Sequence, residues 1–175
     1  MATRLYCDLD GVHVDFARGV REFFGLVLPR DTTTFNRLWD SDAGWRRLRR
    51  EWPTFWMDLE PLKHSAHLWS VIRRYHPAIL TAAPMGWESA KTGKHIWVQQ
   101  HLPKFGMHPN ETFHAVRRSD KAHYARGTNG EANILIDDFS KNIAEWRAAG
   151  GIGILYNDSD SGVEQVKRTL AKYMT

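Results

Sequence analysis

Short apolar runs separated by longer stretches of helical spacing set the rhythm of the chain. Thr3 to Cys7 is a brief apolar run closed by a Gly-containing loop, which predicts a buried strand. Apolar residues then recur at Val14, Phe16, Ala17, Val20, Phe23 and Phe24, close to helical spacing, before Gly25 punctuates the segment. Ala78-Ile79-Leu80-Thr81 is a second strand. A helix over 86–102 follows, centred on Ile96, Trp97 and Val98, with Pro103 beyond its end. Thr112 to Val116 is a weaker strand, and Asp120 to Arg126 a short helix with Ser119 as its N-cap. Asn133-Ile134-Leu135-Ile136-Asp137-Asp138 is the clearest strand after the first. Ser140 caps the next helix, which stops at Gly150-Gly151. Ile152 to Tyr156 is a fifth strand, and Ser161 to Tyr173 the final helix.

Strands that alternate with helices imply a parallel sheet with helices on both faces. The stretch before the second strand is too long for a plain crossover. It is rich in arginine and holds Trp39, Trp45, Trp52 and Trp56. We read 14–75 as a helical cap inserted into a core built from 1–13 and 76–175.

Composition narrows the class. With 175 residues, 42% of them hydrophobic, the chain has material for one compact core. A single cysteine excludes an internal disulfide framework and argues against a Cys-rich zinc site. No run approaches the length of a membrane span, and the start does not resemble a signal peptide, so a cytoplasmic location is expected. The net charge of +4 comes with arginine pairs such as Arg46-Arg47 and Arg117-Arg118, which fit solvated helix faces or attraction of an anionic substrate.

The candidate chemistry lies at strand ends. Asp8 and Asp10 are spaced i, i+2 and followed by Gly11, which puts two carboxylates on one side of the first strand's exit. Such a pair repels itself unless a cation or shared proton intervenes, and hard oxygen ligands favour Mg²⁺. Thr81, Asp137 and Asp138 end other strands, and Lys121 follows one closely. Parallel strands bring these ends to one crevice, which points to metal-assisted phosphoryl transfer.

The ordered set Asp8-x-Asp10-Gly11-Val12, Leu80-Thr81, Lys121 and Ile136-Asp137-Asp138 resembles the four-motif signature of the haloacid dehalogenase (HAD) superfamily. The likeness spans nearly the whole chain. It implies an α/β, Rossmann-like three-layer fold with a five-stranded parallel sheet and a small helical cap after the first strand. Asp8-Leu9-Asp10-Gly11-Val12-His13-Val14-Asp15-Phe16 is more narrowly similar to the opening of the 5′(3′)-deoxyribonucleotidases. Asp58-Leu59-Glu60-Pro61-Leu62, Trp97-Val98 and Asn142-Ile143 with Trp146 resemble further parts of that family. Two positions differ from its pattern: His13 replaces an aliphatic residue, and Ala82 stands where serine is frequent.

The resemblance implies a Mg²⁺-dependent phosphomonoesterase, a 5′-nucleotidase for nucleoside monophosphates. Asp8 is the expected nucleophile and Asp10 the acid/base that also offers its carbonyl to the metal. Thr81 and the Ala82 amide are expected on the phosphoryl oxygens, with Lys121 neutralising charge. Lys121 is preferred to Lys91 and to Lys94, which reads as a helix-surface residue. Asp8, Asp10, Asp137 and Asp138 form the expected metal set, Asp137 ranking above Asp138. Phe16, Phe55 and Trp56 are candidates for the substrate pocket, with core packing as the alternative. An alternative substrate is a phosphorylated nucleic-acid end; another is non-catalytic binding of phosphate or nucleic acid. A small-molecule nucleotide partner is favoured, no membrane is expected, and oligomeric state stays open, a homodimer included.

Overall fold

The computed structural model describes residues 3–25, 42–84 and 86–174; Trp39 lies outside them. Strands β1 (Leu5–Cys7), β2 (Ala78–Ala82), β3 (Phe113–Val116), β4 (Ile134–Asp137) and β5 (Ile152–Leu155) pair in the order β3-β2-β1-β4-β5. Every pairing is parallel. β1 is central, which explains why Leu5, Tyr6 and Cys7 are buried without alternation. Successive residues still point to opposite faces. Leu5, Cys7, Ile79, Ile134 and Ile136 feed one apolar cluster, whereas Tyr6, Ala78, Leu80 and Leu135 feed the other with Ile143 and Trp146. The chain runs outward from β1 through β2 to β3, then returns to β4 on β1's other side. Such a reversal opens a crevice at the C-terminal strand ends.

The helices are α1 (Phe16–Phe24), α2 (Asp42–Glu51), α3 (Phe55–Asp58), α4 (Ser65–Ile72), α5 (Glu88–His101), α6 (Ser140–Ala148) and α7 (Asp160–Tyr173). Short 3-10 turns cover Arg73–Tyr75 and Arg118–Tyr124. Asp15 caps α1 by accepting from the Arg18 amide at 3.1 Å, and Gly25 closes it with φ +67°. Ser159 caps α7 through the Gly162 amide at 3.0 Å. The two expected serine caps are not caps. Ser119 lies inside the 3-10 turn, and Ser140 is already helical. The entry to α6 is held by Asp137, whose Oδ1 accepts from the Phe139 amide at 2.9 Å.

Between β1 and β2 the described elements are all helical. α1 and α3 contribute Phe16, Phe55 and Trp56 to one aromatic group, which Trp45 of α2 joins. α3 packs closely on α5 because Gly93 has no side chain; a Cβ there would lie 2.9 Å from the Trp56 Cβ. α4 packs instead on α7, at the sheet. His64 ties the two, its amide donating to Asp158 Oδ1 at 2.9 Å.

Candidate active site

The parallel register aligns Cys7 with Ile79 on one side and Ile136 on the other, so Asp8 emerges level with Asp137. The Asp8 amide continues the ladder to the Ile136 carbonyl at 2.9 Å. Lys121, 2% exposed, places its Nζ 2.8 Å from Asp8 Oδ2 and 2.8 Å from Asp137 Oδ2. The other Asp8 oxygen accepts from the Leu9 amide at 2.8 Å. Asp137 is fully buried, and both its oxygens are occupied: Asn142 Nδ2 donates to them at 2.9 and 3.1 Å, beside the Phe139 amide and Lys121. Thr81 is strand, not a helix cap.

Lys94 overturns one expectation. It is 1% exposed, not on the helix surface. Its ammonium bonds to Asp10 Oδ2, donates to Thr81 Oγ1 at 3.1 Å and to the Ala82 carbonyl at 2.7 Å, and lies 4.3 Å from the Trp56 ring centre. The inward face of α5 consists of Ala90, Gly93, Lys94, Trp97 and Val98, an i, i+3, i+4, i+7, i+8 series in which the lysine takes a core position. That spacing was the signal in the sequence. Asn142 was the other residue whose part at the site went unread; its i+5 spacing from Asp137 on the first turn of α6 is what brings the amide back to the acid.

Asp138 differs from Asp137. It is exposed, and its carboxylate lies over Gly11: a Cβ on Gly11 would fall 2.0 Å from Asp138 Oδ2. Gly11 also has φ +73°, so both the backbone and the space require glycine. Oxygens of Asp8, Asp137 and Asp138 all lie within 4.8 Å of one another. With Asp10, four carboxylates face two ammonium groups, Lys94 and Lys121, leaving two formal negative charges. An oxygen-only donor set with that deficit fits a divalent cation such as Mg²⁺.

The titrations carry the same crowding. Burial, then the charge of Asp8, pushes Asp137 up to about 6. Asp138 keeps solvent-facing surface, but the protein packed around its carboxyl group desolvates it and, with the charges of Asp8, Asp137 and Asp10, pushes it up to about 8. Burial also raises Asp10, against the opposing pull of Lys94. Burial works against the Lys121 charge, yet Asp8 and Asp137 together hold its pKa above the ordinary value.

The aromatic candidates separate. Phe16 is half-buried and stacks on Trp56 at 5.4 Å, with 9° between the planes. Trp56 is itself buried, 3% exposed, and turns a ring face to the Lys94 ammonium. Phe55 is fully buried against Phe16, Trp52 and Trp56. It has no surface to offer a ligand, so the pocket wall expected of it is a core position.

A family model described as 5′ nucleotidase, deoxy (pyrimidine), cytosolic type C protein (NT5C) matches residues 2–169. The chain belongs to the NT5C family. It is therefore a phosphoric monoester hydrolase of the 5′-nucleotidase type. The fold of this NT5C member is similar to a HAD-like hydrolase from Streptococcus pneumoniae, at TM-score 0.62 and 16% identity, covering 99% of each chain. It is also similar to the HAD hydrolase YfnB from Bacillus subtilis, solved with magnesium (TM-score 0.57, 12% identity, 97% and 99% covered). A third likeness is to the L-2-haloacid dehalogenase from Xanthobacter autotrophicus, with chloropropionic acid covalently bound (TM-score 0.54, 10% identity, 99% and 84% covered). At these identities the likeness shows the fold alone. No curated protein sequence matches. Among the described residues no helix is long and apolar enough to cross a membrane, and the family is of cytosolic type.

Proposed function

We propose that this NT5C enzyme is a Mg²⁺-dependent 5′-nucleotidase that hydrolyses (deoxy)ribonucleoside monophosphates through an aspartyl-phosphate on Asp8. One observation carries the reading: each acid of the Asp8-Leu9-Asp10 loop has its own buried lysine, Lys121 on Asp8 and Lys94 on Asp10. The pairing gives the two carboxyls unlike tasks. Lys121 and the Leu9 amide stabilise Asp8 as the anion a nucleophile must be. Asp10, raised by burial, holds a proton more readily and suits an acid/base.

An Asp8 oxygen attacks phosphorus, the phosphorus–oxygen bond to the nucleoside breaks, and Asp10 gives its proton to the leaving oxygen. Asp10 then takes a proton from water, whose oxygen attacks the acyl phosphate and releases inorganic phosphate. The Thr81 hydroxyl and Ala82 amide bind phosphoryl oxygens, while Lys94 orients both Thr81 and Asp10. Asp8, the Asp10 carbonyl and Asp138 hold the cation. Asp137, already saturated by Lys121, Asn142 and Phe139, steadies the set and ranks below Asp138 as a direct ligand. Mg²⁺ supplies charge compensation for the phosphoryl group and the oxygens that enter and leave it. The lid of α1, α2 and α3 offers the half-buried Phe16 to the nucleoside, with Trp56 stacked behind it.

The test is phosphate release from a panel of ribo- and deoxyribonucleoside monophosphates, with Mg²⁺ or with EDTA, alongside a 5′-phosphorylated oligonucleotide. Mg²⁺-dependent turnover of a mononucleotide that Asp8→Asn abolishes is the expected result. Absence of turnover for every mononucleotide would sink the reading, and faster turnover of the oligonucleotide would replace it with a nucleic-acid-end phosphatase.

A further inference from the structure

The opposite edge of the sheet holds a second cavity, of about 520 Å³, at the N-terminal ends of β1 and β4. This volume falls within the range of small-molecule sites, roughly 300–1,000 Å³. Arg4 immediately precedes β1 and Asp8 immediately follows it, so the cavity lies about 13 Å from the nucleophile along β1, at about 3.3 Å per residue. Its wall brings together Arg4, Tyr75, His76, His123, Tyr124 and Arg126.

His76 of this wall pairs with Glu111 at 3.3 Å, whereas the two arginines carry no ion pair among the described residues. The Arg4 guanidinium donates to the Asn110 carbonyl at 3.0 Å and Thr112 Oγ1 at 2.7 Å, both neutral, and its Nε is buried without a partner. Arg126 donates to the Gly130 carbonyl at 2.7 Å and lies flat against Gly150, where a Cβ would fall 2.4 Å from its nitrogens. Neither arginine is paired with a carboxylate among the described residues. Glu131 is the sole carboxylate of the lining, and it is turned onto the Asn129 amide at 3.1 Å. Neutral acceptors thus hold two guanidinium forks in place without cancelling them. A fork fixed in advance loses little entropy when it binds an oxyanion and prefers phosphate or carboxylate in a planar, paired geometry. The rest of the wall is aromatic: Tyr124 meets Tyr6 edge-on at 5.6 Å, Arg4 lies over the Tyr6 ring at 5.3 Å, His76 is stacked on His108 at 3.6 Å, and Tyr75 and His123 complete it. Rings beside guanidinium groups suit a planar heterocycle.

We propose that this cavity is a second binding site, separate from the active site, for a phosphate-bearing ligand with a planar ring, the chemistry of a nucleoside phosphate. The proposal stands on Arg4, Arg126 and the aromatic wall, and does not depend on which phosphomonoester the active site cleaves.

The experiment titrates the Asp8→Asn protein, which cannot turn the ligand over, with AMP by calorimetry, and in separate arms with inorganic phosphate and with adenosine. An AMP site is expected that weakens about tenfold or more in Arg126→Gln and in Arg4→Gln, the scale of losing a charge-assisted hydrogen bond, whether or not the active site takes AMP as well. Arg126 is exposed, so Arg126→Gln carries the test if Arg4→Gln does not fold. No AMP site, or AMP binding unchanged in both arginine variants, overturns the proposal. Inorganic phosphate filling the second site as tightly as AMP overturns its nucleoside part, since the aromatic wall would then add nothing.

Discussion

Lys94→Met tests the division of labour between the two acids directly. Methionine keeps an unbranched apolar stem one atom shorter than that of lysine and removes the ammonium that faces Trp56. Lys94 is buried and bonds to Asp10, Thr81 and the Ala82 carbonyl, so three acceptors lose their donor at once. Breaking one side of a buried ion pair costs about 3–5 kcal/mol. Asp10 relieves part of this by taking a proton, because burial already raises its pKa and Lys94 is the group that opposes the rise. The expected cost is therefore near the lower end, about 3 kcal/mol. At about 2–4 °C per kcal/mol for a domain of this size, the melting temperature falls by roughly 6–12 °C. The kinetic signature is more specific. An Asp10 that holds its proton too tightly still acts as the acid of the first step but fails as the base of the second, a loss of about 10²–10⁴-fold. Rapid quench should show a burst of nucleoside near one equivalent per chain, followed by slow phosphate release whose pH dependence has moved upward. A variant that melts with the wild type and releases phosphate at the wild-type rate from pH 6 to 9 refutes the assignment.

Gly11→Ala should abolish turnover while leaving the protein folded, since the new methyl group meets the Asp138 carboxylate at a backbone of φ +73°; strain of this kind costs about 1–3 kcal/mol, and near-normal activity would contradict it. Asn142→Ala removes both amide bonds to Asp137, and about 1–3 kcal/mol of stability; Mg²⁺ affinity measured by calorimetry should fall with it. Crowding raises the pKa of both Asp138 and Asp137, so Mg²⁺, which binds the deprotonated carboxylates, should bind more weakly as pH falls from 8 to 6, and a flat affinity over that range would count against Asp138 as a ligand. His13 is buried between Cys7 and Ser65 Oγ, and burial lowers its pKa to about 4. The unfolded imidazole titrates near 6.5, so stability is full above that pH and falls by about 1.36 kcal/mol per unit as pH drops toward 4, about 3 kcal/mol in all. Denaturant titrations of His13→Leu should lack that acid-side slope.

Strand and helix order could be read from the residues because each depends on neighbours in sequence. Short apolar runs ended by Gly11 or Pro84 read as strands leading into turns, and helical spacing broken by Gly150-Gly151 reads as a helix end. Right-handed parallel connections then carry Asp8, Thr81 and Asp137 to one edge without further information. Tertiary structure decided what residue type alone leaves open. Lys94 has the composition of a surface residue, and only the approach of Asp10, 84 positions away, makes its buried place tolerable. Asp137 and Asp138 are identical side chains in adjacent positions. Lys121 and Asn142 saturate the first, while the second is turned out over Gly11. Phe55 and Trp56 are likewise adjacent and both buried, and the pitch of α3 turns one onto Phe16 and Trp52 and the other onto the Lys94 ammonium. Local backbone preference acts over a few residues. Burial, charge pairing and the resulting pKa values depend on groups brought together from across the chain.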